Sequence, residues 1–138
     1  MLAQSKTVCS NGSVSFDQYE PIMYPYFLRR AGQAWDHESV LKILPDGSFT
    51  YLMQDDIPDP TTPKPDMFGE MRQSIKDAMK AWHFSNDTNQ TLYLRLRVAF
   101  RISGLVRQED NKVINQIIFN KEEIIIKVIA SQVTPLVE

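Results

Sequence analysis

Hydrophobic and polar residues alternate most strictly over Thr91–Ile102. Leu92, Leu94, Leu96, Val98, Phe100 and Ile102 fall on one side; Tyr93, Arg95, Arg97, Ala99 and Arg101 fall on the other. A period of two is the strand repeat, so this is the clearest strand, with one face for a core and a second that is half-wet and cationic. Val113–Phe119 and Glu123–Ile129 predict two further strands around Asn120-Lys121-Glu122, with Ile124, Ile126 and Val128 alternating against Ile125, Lys127 and Ile129. Ser39–Leu44 and Ser48–Gln54 flank Pro45-Asp46-Gly47. Proline presets φ, aspartate caps the turn and glycine takes the left-handed position, which predicts a β-hairpin.

The 3.6-residue repeat occurs over Met67–Trp82, where Phe68, Met71, Ile75, Ala78, Met79 and Trp82 form one stripe. Asp66 suits its N-cap, and Glu70 suits the positive end of the helix dipole. A shorter helix of two to three turns is expected within Pro21–Ala34, entered at Pro25 and left at Gly32, with Tyr24, Phe27, Leu28 and Ala31 facing the core. Four prolines within Asp55–Asp66 exclude regular structure and predict an anionic, semi-rigid loop. Leu2–Asp17 reads as a loose arm or a short edge strand around Val14–Phe16. Ser103–Lys112 reads as a polar connection, and Ser131–Glu138 as a tail. The predicted order is helix, hairpin, helix and long strand, followed by an added β segment. The fold class it implies is α+β, an antiparallel sheet with two helices packed on one face, plus a C-terminal β extension.

Composition narrows the function. With 138 residues and 43% hydrophobic positions, the chain can bury the core of about one domain. A formal charge of −2 lacks the basic excess of a nucleic-acid binder. The total hides an asymmetry: Met1–Asp66 carries 5 basic and 9 acidic residues, a net of −4, while Met67–Glu138 carries 10 and 8, a net of +2. No run approaches the ~20 apolar residues of a membrane helix. Met1-Leu2-Ala3-Gln4-Ser5 has neither the basic start nor the apolar stretch of a signal peptide, and Ala3-Gln4 reads as the end of one already removed. Cys9 is the single cysteine, so an internal disulfide and a cysteine-based zinc site are excluded. A spare thiol is the expectation for it, with a reactive thiol or an intermolecular disulfide as the alternatives.

Several short motifs occur in a family order. Tyr24-Pro25 opens the first helix and Ala31-Gly32 closes it; Ile43-Leu44-Pro45-Asp46-Gly47 ends the first strand; Ala78, Ala81 and Trp82-His83-Phe84 end the amphipathic helix; and Leu96-Arg97-Val98-Ala99-Phe100 alternates up to an aromatic. Over Pro21–Ile102 this arrangement resembles the C-terminal domain of TonB-family energy transducers and the related TolA-like domains. The resemblance implies a division into an arm (1–20), the family domain (21–102) and a β-strand extension packed on it (103–138). Tyr24, Pro25, Asp46, Gly47, Trp82 and Phe84 would be its structural motif. It also implies a non-catalytic periplasmic module that binds a protein or peptide by strand addition, with an outer-membrane transport receptor among the candidate partners and no cofactor. Thr91–Ile102 would be the receiving strand. If the later strands cover that edge, another edge must serve or the chain must be a homodimer.

Chemistry-bearing residues are sparse. Asp36-His37-Glu38 could be drawn as a metal or acid–base cluster, but adjacent residues on an extended segment point to opposite sides, so a solvated turn is expected. His83 is expected at a helix terminus, interacting with the dipole. Asn11-Gly12-Ser13, Asn86-Asp87-Thr88 and Asn89-Gln90-Thr91 fit the glycosylation pattern as chance matches in Asn-rich loops. Tyr93, Arg95, Arg97 and Arg101 are the candidate partner-binding residues, since an arginine-studded strand face suits an acidic peptide, a polyanion or a phosphate. The competing expectations are a solvated sheet face, a small-ligand or enzymatic domain built on a pocket joining His37 or His83 to a carboxylate, and a structural subunit of an envelope complex.

Overall fold

The computed structural model describes residues 7–9, 12–53, 69–107 and 112–134. Along them run β1 (Thr7–Cys9), β2 (Gly12–Gln18), α1 (Tyr26–Arg30), β3 (Trp35–Ile43), β4 (Phe49–Met53), α2 (Gly69–Met79), β5 (His83–Asn86), β6 (Leu92–Arg107), β7 (Val113–Asn120) and β8 (Glu123–Thr134). Five strands form one sheet in the order β4-β3-β6-β8-β7, and three form a second in the order β1-β2-β5. In the large sheet β3 is antiparallel to β4 and β6, and β7 is antiparallel to β8, but β6 and β8 run parallel.

This corrects the expected α+β layout of an antiparallel sheet with two helices on one face. Among the described residues the fold is mostly β, the large sheet is mixed, and the two helices span 5 and 11 residues. The difference arises in segments whose local signal is weak. Around Val14–Phe16 the strand alternative holds over the loose arm, but β2 is longer and not an edge: it runs over Gly12–Gln18 between β1 and β5 and places Val14 and Phe16 in the core. Two apolar residues in a polar stretch give little periodicity; cross-strand partners supply what the segment lacks. The polar connection expected from Ser103 is strand as far as Arg107, with a register shift against β8 between Ile102 and Leu105. Likewise β8 continues past Ser131 to Thr134. The proline-rich 55–66 loop, Asp66 and Phe68 lie outside the described residues.

The first helix is shorter than expected. Pro25 stands at its N-cap and Gly32 leaves it with φ +66°, as a left-handed exit requires. Tyr24 and Leu28 are buried, whereas Phe27 is 69% exposed and Ala31 is exposed. A single turn cannot hold a 3.6 stripe, and burial passes instead to Arg29, whose Nε donates to the Ser131 carbonyl at 3.1 Å. The α2 stripe is as the pattern predicts: Met71, Ile75, Ala78 and Met79 are buried, as is Trp82 just beyond the helix.

The inner face of the large sheet carries Leu41 and Ile43 from β3, Leu94, Leu96, Val98 and Phe100 from β6, Ile117 and Phe119 from β7, and Ile124, Ile126 and Val128 from β8. Phe16 ties the small sheet to this core: its ring lies 4.6 Å from Phe84, 5.0 Å from Trp82 and 5.8 Å from Phe119, centroid to centroid. One backbone contact and one side-chain clamp fix the layers. The Phe84 amide donates to the Gly47 carbonyl at 3.0 Å, and a Cβ on Gly47 (φ +90°) would stand 1.9 Å from the Phe84 oxygen. On β7, buried Asn115 accepts at Oδ1 from the Tyr19 hydroxyl (2.5 Å) and the Ile22 amide (2.7 Å), and donates from Nδ2 to the Ile22 carbonyl (2.9 Å). Desolvation in this clamp raises the Tyr19 pKa.

Candidate functional site

The side chains of β6 that do not enter the core stand on the other face of the large sheet, where Tyr93 is 65% exposed and Arg95, Arg97 and Arg101 are exposed. The register decides their partners. Arg97 sits opposite Glu38 on β3, Arg95 opposite Glu123 on β8, and Asp36 opposite Ala99, one step diagonally from Arg101. Arg101 pairs with Asp36 at 2.6 Å, Arg95 with Glu123 at 3.7 Å, and Arg97 with Glu38 at 3.8 Å. Arg101 also donates through Nη1 to the Phe100 carbonyl at 2.9 Å. Exposed pairs of this kind each contribute roughly 0–1 kcal/mol, so they orient the guanidinium groups more than they stabilise the fold. Between and beside the charges stand exposed apolar residues: Leu52 (60%), Val40 (48%) and Ile114 (50%). Isolated exposed apolar residues are ordinary, but tyrosine, arginine and aliphatic groups on one flat face have the composition of an interface.

Thr91–Ile102 does not offer the free edge that strand addition needs. It pairs with β3 over Leu92–Phe100 and with β8 from Arg95 onward, so its central residues Arg95–Phe100 are bonded on both sides within the sheet. The outer strands of the large sheet are β4 and β7. The four sequence-predicted partner residues are therefore brought together, but on a face and not along an edge.

Two shallow depressions open on this face. One, of about 630 Å³, is bordered by Asp36, Glu38, Arg97, Ala99, Arg101 and Lys127. The other, of about 520 Å³, is bordered by Glu38, Ser39, Val40, Leu52 and Arg95. His37 also borders the first, but it is 2% exposed and on the core side of β3, 5.2 Å from the Trp35 ring. The solvated turn expected at Asp36-His37-Glu38 is thus a strand: Asp36 and Glu38 face outward and His37 inward. The Ser39 hydroxyl, also inward, has no hydrogen-bond partner among the described residues.

His83 is not at a helix end; it opens β5, where Nδ1 lies 3.2 Å from Asp17 Oδ2 in an exposed pair that borders neither depression. Asp46, on the neighbouring turn, has its carboxyl held below the usual range, first by hydrogen bonds from the Ser48 hydroxyl (2.6 Å) and amide (2.9 Å), with a smaller contribution from His83. Tyr24 is pushed up to about 12 by burial, against the opposing charges of Arg101 and Arg29, and its hydroxyl donates to the Gln33 carbonyl. Asn86 donates through Nδ2 to the Leu44 and Gln90 carbonyls, which ties up its amide inside the turn. Among the described residues no three His, Cys, Asp or Glu groups are placed to hold a metal, and no helix is long and apolar enough to cross a membrane.

Sequence reasoning passed over Asp36, Glu38 and Lys127 as parts of this face. Running the Leu41/Ile43 alternation backwards through β3 would have placed both carboxylates outward, but only the strand order shows that they meet the arginines. No family model matches the chain, and no similar curated protein or solved structure was found.

Proposed function

We propose that the protein is a non-catalytic interaction module that binds a protein or peptide on the open face of its large sheet. The observation that carries this reading is the grouping of Tyr93, Arg95, Arg97 and Arg101 with exposed Val40 and Leu52 on one face whose reverse side is core. Aromatic and arginine side chains concentrate binding energy because they combine contact area with directional hydrogen bonds, and the aliphatic groups between them exclude water. The resemblance of its motifs to TonB-type domains favours a cell-envelope partner in the periplasm, an outer-membrane transport receptor among them. The face recognises such a partner through side chains, since β6 keeps its backbone within the sheet.

The test is capture of partners from an envelope extract by the wild-type chain and by Tyr93→Glu and Leu52→Glu variants. Both positions are exposed, so the fold should persist. Loss of a specific band in both variants supports the reading; an unchanged capture profile in two folded variants would sink it.

A further inference from the structure

The floor of the larger depression is a single alanine. Ala99 faces outward on β6, yet it is only 7% exposed because longer side chains surround it. Arg97 and Arg101 flank it two residues away on the same face of the strand, Lys127 stands directly opposite on β8 and Asp36 directly opposite on β3. Directly opposed residues bring their Cβ atoms to about 5 Å, so three cationic side chains rise around one methyl group.

The charges in this ring are not balanced. Arg97, Arg101 and Lys127 face Asp36 and Glu38 across the depression. Each carboxylate is committed to a guanidinium, Asp36 to Arg101 and Glu38 to Arg97. The Lys127 ammonium has no ion pair or side-chain hydrogen bond among the described residues. A guanidinium has five N–H donors, and one carboxylate contact leaves several of them available. Fixed guanidinium groups beside an unpaired ammonium, over a floor too small to fill the space, match the donor geometry that carboxylate and phosphoryl oxygens accept from.

We propose that the Ala99-centred depression is an oxyanion-binding site, with Lys127 as its principal charge and Arg97 and Arg101 as donors held in place by Glu38 and Asp36. The group bound is a carboxylate or phosphoryl oxyanion. It can come from a free small anion or, where this rests on the interaction-module reading, from the acidic side chain of a partner.

Amide-resolved NMR titration of the whole chain tests the site with three probes: inorganic phosphate, a tetraglutamate peptide with blocked termini, and the matching tetraglutamine peptide. Saturable shifts at Arg97, Ala99, Arg101 and Lys127 are expected with an oxyanion probe and not with tetraglutamine. Saturation by phosphate identifies a free anion as sufficient; saturation by tetraglutamate alone identifies an acidic segment as the source. Lys127→Gln should weaken binding about tenfold, as should raising NaCl to about 0.5 M, because the site is open to screening. Ala99→Leu should abolish binding by filling the floor. Should that variant misfold, Lys127→Gln and Arg97→Gln, both at exposed positions, still decide the matter. Absence of saturable shifts with both oxyanion probes, or shifts unchanged in Lys127→Gln, overturns the proposal. The titration does not depend on partner capture, so failure of the interaction reading with Tyr93→Glu and Leu52→Glu would be seen separately.

Discussion

The two faces of β6 divide one strand between core and solvent. On the inner face Leu94, Leu96, Val98 and Phe100 are buried against neighbours from β3, β8 and the rest of the core. On the outer face Tyr93, Arg95, Arg97 and Arg101 alternate with them, one residue apart, in water. The inner residues hold the fold through apolar burial and close packing, where each lost methylene is felt. The outer residues hold almost none of it, because exposed ion pairs are screened and must order long side chains. Stability and the proposed recognition are thereby assigned to opposite sides of the pleat: changes on the outer face should leave stability nearly intact.

That separation can be broken or sharpened by measurement. The largest effect is expected where the layers touch without room. Gly47→Ala would force a Cβ into the Phe84 carbonyl and impose a strained φ, so urea unfolding should show a loss of several kcal/mol or no folded protein. Leu96→Ala on the inner face should cost about 2–5 kcal/mol by the same measurement. Asn115→Ala should cost about 2–4 kcal/mol, since it leaves the buried Ile22 backbone groups and the Tyr19 hydroxyl without their partner. Arg97→Gln, next to Leu96 in sequence but on the outer face, should change stability by about 0.5 kcal/mol or less. A loss comparable to that of Leu96→Ala would show that the two faces are not independent.

The smallest effect concerns acid. The folded-state pKa of Asp46 is lowered, so its contribution is present above the ordinary aspartate value of 3.8 and is lost as pH falls through the lowered folded value. Asp46→Asn should therefore flatten the stability profile slightly below about pH 4 and leave it unchanged near neutrality, read as the unfolding midpoint against pH.

The sequence alone was a good guide wherever the periodicity was long. The twelve-residue alternation of Thr91–Ile102 specified both faces of β6, and Pro45-Asp46-Gly47 specified the β3–β4 turn, because these signals are local and repeat within the segment itself. It failed where partners supply the order. The strand around Val14–Phe16 was legible only as an alternative to a loose arm, and Phe16 finds its core place against Phe84 and Trp82, while Ser103–Arg107 becomes strand only beside β8. The candidate surface divides in the same way: the arginine row was legible, while its carboxylate partners were not.

What the sequence determined by itself is the set of strand faces, the turn chemistry and the apolar stripe of α2, since each follows from residue spacing and backbone preference over a few neighbours. Only the tertiary structure decided that β8 joins β6 in parallel and occupies its second side from Arg95 onward. It also decided that Asp36, Glu38 and Lys127 surround Ala99. These outcomes depend on strand order, and strand order is fixed by which buried faces fit together across the whole chain.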